Sequence, residues 1–300
     1  MSSRAWLAFL ALGIIWGVPY FFIKLAVQEL SPWLIAWARI VLATLILLPI
    51  AWRRGALRPL LAHKGAVCAF GLLEFAVPFV AISLAERWIS SSIAGILIAT
   101  VPLIIALISR FFGVHERFGP WRVLGLLVGL IGVVALLGLG SISGPLGWAG
   151  VGCIALATIG YAIGPLIVQR HLKLIDPFGP IAGSLLVAGL MLLPAALCSL
   201  PAQMPSALAL ACIAVLGVVC TALAMLLLFY LIGHAGAARA SVITYINPAV
   251  ASLLGVAILH ERLGVGGLAG LALILSGSWL ATRGALAAPG SSSEAAALDS

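Results

Sequence analysis

Few residues in this chain could do chemistry, and most of them lie inside long apolar runs. Arg39 and Glu74 are charged residues embedded in such runs. Around them fall Trp16, Tyr20, Phe79, Thr100, Tyr161, Thr244, Tyr245 and Asn247, close in sequence to Pro19, Pro78, Pro102, Pro165 and Pro248. An ionisable group in an apolar medium is costly and needs a partner, a wet cavity or a polar solute. An indole N–H or a phenol O–H also needs a hydrogen-bond partner once buried. Proline removes a helical hydrogen bond and kinks the chain, which a bilayer tolerates where the defect is buried or lines a cavity. The set Trp16, Tyr20, Glu74, Pro78, Phe79, Thr100, Tyr161, Tyr245 and Asn247 therefore reads as the lining of a polar, aromatic cavity that takes a small molecule. Catalysis is not expected. The five histidines lie near the ends of apolar runs, and neither HExxH nor GxSxG occurs. Cys68, Cys153, Cys198, Cys212 and Cys220 have no metal-site spacing, so no metal, cofactor or disulfide is expected.

Composition names the medium. Apolar residues make up 64% of the 300, charged ones 8%, and mean hydropathy is +1.26. Soluble domains carry roughly 25% charged residues. A chain this poor in charge cannot cover a water-facing surface, which excludes aqueous enzymes and nucleic-acid binders. The fold class is an all-α membrane protein embedded in a lipid bilayer. A spanning helix needs about 20 apolar residues. Ten runs qualify: 5–24, 32–52, 65–84, 90–110, 120–139, 147–168, 178–198, 207–231, 239–259 and 264–283. The first run is too long for a signal-peptide core.

Placing the N-terminus inside puts twelve Lys and Arg in cytoplasmic segments and three (Lys24, Arg87 and Arg262) outside, with Arg39 within a span. That bias predicts cytoplasmic termini, and the net charge of +8 reports orientation rather than an anionic partner.

The two halves resemble each other. His115-Glu116-Arg117-Phe118-Gly119 recurs as His260-Glu261-Arg262-Leu263-Gly264, 145 positions later. The same offset relates Leu47-Leu48-Pro49 to Leu192-Leu193-Pro194, Pro32 to Pro177, and Trp16 to Tyr161. The reading is a five-helix repeat over 1–145, a second over 146–288, and a disordered cytoplasmic tail over 289–300. Five is odd, so the second repeat would enter the membrane inverted. The loop after the second run carries Arg53, Arg54, Arg58 and Lys64, whereas 199–206 carries no Lys or Arg, as inversion requires. Ten transmembrane helices in two inverted repeats mark a transporter that works by alternating access around a midplane site. The stripes Gly125, Gly129, Gly132 and Gly266, Gly270, Gly277 suit close helix packing, or a homodimer built on those faces.

Two readings of the charged residues stay open. Arg39 lies about eight residues below the outer end of its run and Glu74 about ten, so their depths differ by roughly 3 Å at 1.5 Å per residue. A structural ion pair Arg39–Glu74 is one reading. In the other, Glu74 faces the cavity and binds a substrate ammonium or a coupling proton.

Ten spans in two fives, Trp16-Gly17, Ala38-Arg39, proline in the fourth and ninth spans, and the glutamate-to-glycine runs Glu116 to Gly125 and Glu261 to Gly270 resemble the EamA-type branch of the drug/metabolite transporter superfamily. The resemblance covers residues 5–283. It implies a bacterial inner-membrane exporter of amino acids, aromatic ones included, with a cavity lined by spans one, three, four, six, eight and nine. A broad exporter of lipophilic drugs or other small metabolites is the alternative.

Overall fold

The computed structural model describes residues 3–108, 120–138, 142, 144–235, 243 and 246–287. Every element among them is helical. In chain order they are α1 (Ser3–Gly17), α2 (Pro19–Ala26), α3 (Pro32–Arg53), α4 (Lys64–Phe70), α5 (Val77–Ala85), α6 (Ser91–Ile98) and α7 (Val101–Ile108). Then follow α8 (Pro120–Gly138), α9 (Gly144–Ile167), α10 (Phe178–Leu197), α11 (Ala207–Ala214), α12 (Ala224–Ala235), α13 (Asn247–Ala257) and α14 (Val265–Ala287). A 3₁₀ turn, Arg58–His63, leads into α4.

Seven continuous units are long and apolar enough to cross a membrane: Arg4–Ala26, Pro32–Arg53, Arg58–Ala85, Ser91–Ile108, Gly144–Leu172, Phe178–Leu197 and Ala207–Ile232. Three shorter apolar helices, Val123–Leu137, Asn247–Ala257 and Val265–Leu280, accompany them. The chain is thus a multi-pass membrane protein. The expected tail, Tyr245 and the His115 motif lie outside the described residues.

Local sequence explains the helix ends. Ser31, Ser90 and Ser206 cap α3, α6 and α11, each side chain accepting from the N–H three residues on, at 3.1–3.2 Å. Gly55, at φ +68°, turns the chain out of α3 in the left-handed conformation that favours glycine. Proline breaks the long units. Pro19 follows the break at Val18, and Pro102 follows the turn at Ala99 and Thr100.

Two π-helical stretches interrupt the spans, Gly71–Ala76 between α4 and α5 and Val215–Leu223 between α11 and α12. Pro78 cannot donate to the carbonyl of Glu74, which explains the first. The two stretches occupy matching places in the two halves. A third, Val168–Leu172, follows Pro165.

Contacts between the halves come in exchanged pairs. Ser31 donates to Ser199 at 2.8 Å, and Arg54 pairs with Asp176 at 2.8 Å, so α3 and α10 lie antiparallel. The offset of 145 converts one contact into the other. Between α8 and α14, a Cβ added at Gly132 would press on the amide N of Ile274, and one at Gly277 on that of Gly129. Those positions also exchange. The glycine stripes therefore pack against each other within the chain. They hold α8 and α14 together. A methyl group at Gly277 would overlap the backbone of Gly125 and Gly129, an overpacking cost of about 1–3 kcal/mol.

The same contacts sort the helix ends. One end of the bundle gathers Lys24, Glu29, Ser31, Glu86, Ser91, Ser199, Ser206 and Glu261. The opposite end gathers Arg54 and Asp176, with Arg53, Arg58, Lys64, Arg170 and Lys173 near them in sequence. The second end is strongly basic, whereas the first mixes both signs.

Candidate functional site

A cavity of about 460 Å³ opens where the prolines and the two π-stretches meet. Its size falls within the range of about 300–1,000 Å³ that small-molecule sites occupy. Trp16, Tyr20, Glu74, Phe79, Tyr161 and Asn247 line it, and so do Pro19, Pro102 and Pro165. These last three leave the carbonyls of Ile15, Ile98 and Tyr161 without their helical donors. A second depression of about 290 Å³ between α3 and α10 is apolar apart from Thr44 and the Trp37 indole and holds no ionisable group.

Arg39 belongs to this cavity, which the sequence reading did not assign to it. The expected ion pair with Glu74 is not formed; among the described residues the salt bridge within 4 Å is Arg54–Asp176. Arg39 Nε instead donates to Thr221 Oγ1 at 2.8 Å, and Thr221 Oγ1 in turn donates to the Leu216 carbonyl at 2.8 Å. That carbonyl lies five residues back, the spacing that a π-helix opens. The guanidinium carbon stacks 3.8 Å over the Phe79 ring. The head group is thereby held by Nε and by one face. Among the described residues Nη1 and Nη2 find no hydrogen-bond partner, which leaves a flat fork of donors at the cavity. Equal depth did not make a pair because depth says nothing of angle around the bundle.

Glu74 rides on the other π-stretch. It folds its carboxylate against Gly164 of α9, so closely that a methyl group there would overlap Oε2. Oε2 is buried and has no hydrogen-bond donor. Gly160, one turn earlier, sits on the Leu73 carbonyl and on Pro78. The two glycines let the wide π-turn nest on α9. Tyr161 stands within electrostatic reach of both Arg39 and Glu74.

Asn247 starts α13. With its amide nitrogen turned toward the carbonyls, it donates to Ile243 O and Gly13 O, each at 3.1 Å, and ties α13 to α1. The structure places Pro78 and Thr100 elsewhere. Pro78 packs on Gly160 rather than lining the cavity. Thr100 Oγ1 donates to the Leu97 carbonyl at 2.7 Å, satisfying the α6–α7 break. Cys220 and Thr221 of the second π-stretch line the cavity and were missed. The repeat offset, allowing a one-residue slip, carries Glu74 onto Cys220, and that was the available signal.

The site thus holds a donor fork and a carboxylate that do not neutralise each other, between aromatic walls. It can hold a molecule that carries both an anionic and a cationic group beside an apolar side chain. It offers no nucleophile–base pair, and no group of three or more His, Cys, Asp or Glu suited to a metal occurs among the described residues.

Known proteins agree with this architecture. The EamA-like transporter family matches twice, over residues 3–138 and 148–283. A relative from Escherichia coli strain K12, the "Uncharacterized inner membrane transporter YedA", is 33% identical over 85% of this chain and 83% of its own. An "Uncharacterized transporter" of Archaeoglobus fulgidus is 26% identical over 93% and 99%. A crystal structure 21% identical in sequence superposes with a TM-score of 0.66 over 100% of both chains, which speaks for the fold. With two matched copies spread over the helices that enclose the cavity, the chain belongs to the EamA-like transporter family.

Proposed function

We propose that this transporter exports small zwitterions, amino acids with apolar or aromatic side chains above all. The observation that carries the reading is the pair of opposite charges left apart in one aromatic-walled cavity. Arg39 offers two unoccupied Nη groups, the geometry that takes a carboxylate bidentately. Glu74 offers an undonated oxygen to an ammonium. Trp16, Tyr20, Phe79 and Tyr161 cover the side chain between them. A phosphorylated cargo would call for several Lys or Arg, and among the described residues that line the cavity Arg39 is the one such cation.

The exchanged contacts support ten spans in two inverted five-helix repeats, 1–145 and 146–288, moving by alternating access. The basic Arg54 end is then cytoplasmic, with both termini, and the Lys24 end faces outward. The membrane is the bacterial inner membrane, as the name of the E. coli relative supports. We take the end that carries Lys24 as closed. Glu29 accepts from Ser206 N and Oγ at 2.8 and 2.6 Å, and Glu261 accepts from Ser91 N, Ser92 N and Ser92 Oγ at 2.6–3.0 Å. Each carboxylate caps a helix of the opposite half, so opening this end must break both caps.

Uptake of labelled phenylalanine, threonine and a lipophilic cation into proteoliposomes tests the reading. Saturable counterflow of phenylalanine is expected. Transport of the cation without either amino acid would favour a broad exporter of lipophilic drugs or other small metabolites, and unsaturable flux would favour a channel.

A further inference from the structure

Glu86, which closes α5, has no exposed surface, and neither carboxylate oxygen has a hydrogen-bond partner. It lies outside the central cavity, at the closed end of the bundle. Its charged neighbours act in opposite senses: the Lys24 ammonium favours the ionised carboxylate and Glu261 opposes it, and neither bonds to it. Lys24, from α2, donates Nζ to the backbone carbonyls of Glu86 and Ile89 at 2.6 and 2.8 Å and forms no salt bridge with the Glu86 carboxylate. Glu261, from the connection after α13, faces Glu86 with a second negative charge while its own oxygens cap α6. Tyr20 faces it from α2. Packed on Ala85 and Ile89 through Gly150, α9 carries Cys153 and Tyr161 as its titratable groups. Arg87 points to solvent. Nearby, Ser91 is fully buried, and its Oγ has no partner.

A carboxylate buried without a donor is too costly to keep ionised, because nothing replaces its lost hydration. The neutral acid is the form that fits the closed end. Once the end opens, water solvates the group and the ionised form wins. We propose that Glu86 is a proton-binding site separate from the substrate cavity, whose occupancy sets whether this end of the transporter is closed. A proton taken from solvent forms an O–H bond on the carboxyl group and favours closure; its return to water favours opening. The inference rests on the alternating-access reading but not on the identity of the cargo.

The sign follows from linkage. Raising the pH removes the proton and shifts the balance toward the open end, by at most about tenfold per pH unit for one group. Glu29, exposed in its loop, is a fixed point: the Ser206 O–H and N–H hold its carboxyl below the usual carboxylate range. It stays ionised across the interval tested.

The experiment uses the full chain with Ser91→Cys, a substitution that removes no side-chain hydrogen bond. A membrane-impermeant maleimide is applied in proteoliposomes between pH 5.5 and 8.5, without substrate. Labelling at position 91 is read by peptide mass spectrometry as a ratio to the native, exposed Cys198 at the same end. The ratio is expected to climb with pH in this chain and to stay low and flat when Glu86→Gln is added. A flat ratio with Glu86 present, or an unchanged slope in the Gln variant, overturns the proposal. Should the Gln variant fail to fold, Glu86→Asp decides. A displaced midpoint supports the site, and an identical midpoint overturns it. Because no cargo is added, a negative uptake assay leaves this result standing on its own.

Discussion

Replacing Arg39 with lysine keeps the positive charge and removes the fork. Arg39 is 7% exposed, with Nε bonded to Thr221 at 2.8 Å and its plane 3.8 Å over Phe79. Lysine can present one ammonium but cannot hold Thr221, stack flat on Phe79 and grip both oxygens of a carboxylate together. A hydrogen bond to a charged group contributes about 1.5–3 kcal/mol. Losing one of two such bonds to the substrate carboxylate weakens binding by about ten- to 150-fold, at 1.4 kcal/mol per decade. The loss should be selective. In counterflow competition, phenylalanine should lose that factor, while phenethylamine, the same molecule without its carboxylate, should compete as before. Thermal unfolding in detergent should fall separately, from the broken Thr221 bond. Equal weakening of both ligands, or none for phenylalanine in a folded variant, would refute the assignment.

Glu74→Gln should leave the thermal stability near normal, because no salt bridge is broken, and should abolish the preference for phenylalanine over phenylpropionate, its analogue without the ammonium. Gly164→Ala should displace the Glu74 carboxylate. A cost of about 1–3 kcal/mol in stability is expected, with a larger loss of uptake than stability explains, read from uptake per folded molecule. Glu29 has a lowered pKa, so its link to Ser206 contributes above the unfolded value near about pH 4.3 and is lost as pH falls through the folded one. Ser206→Ala should therefore lower stability near neutrality, and the part of that loss due to Glu29 should shrink as pH falls below about 4.3, leaving the loss of the α11 cap. In intact cells, the native Cys198 should label with an impermeant maleimide, whereas a cysteine at the exposed Leu61 should not. The reverse pattern would invert the topology.

Much of the site was legible because hydrocarbon makes polarity conspicuous. Trp16, Tyr20, Glu74, Tyr161 and Asn247 stand out in apolar runs and line the cavity. Phe79 is apolar but sits one residue beyond Pro78 and lines it as well. Their prolines also mark where helices break. What stayed hidden is angular. Arg39 and Glu74 share a depth, but the π-stretches at 71–76 and 215–223 rotate the residues after them, and no spacing rule for a regular helix places them. Thr221 looked like an ordinary residue of an apolar span, and its role as the anchor of Arg39 depends on a neighbour 182 positions away. Pro78 was expected at the cavity because it lies between Glu74 and Phe79, but it turns to α9, where Gly160 leaves room for it. Glu261 stood out in sequence as part of the repeated His260-Glu261-Arg262 motif. Its reach to Ser91 and Ser92 is a contact between halves that sequence proximity cannot reveal. The glycine stripes fitted close helix packing, and within the chain they join α8 to α14.

The central claim is that one cavity reads both charges of a zwitterion. It is tested most directly by counterflow of labelled phenylalanine in proteoliposomes of the unmodified chain, competed in turn by unlabelled phenylalanine, phenethylamine and phenylpropionate. Phenylalanine should compete at least about tenfold better than either analogue, since each lacks one charge-assisted contact of about 1.5–3 kcal/mol. Equal competition by all three, or an analogue that outcompetes the amino acid, would contradict the account.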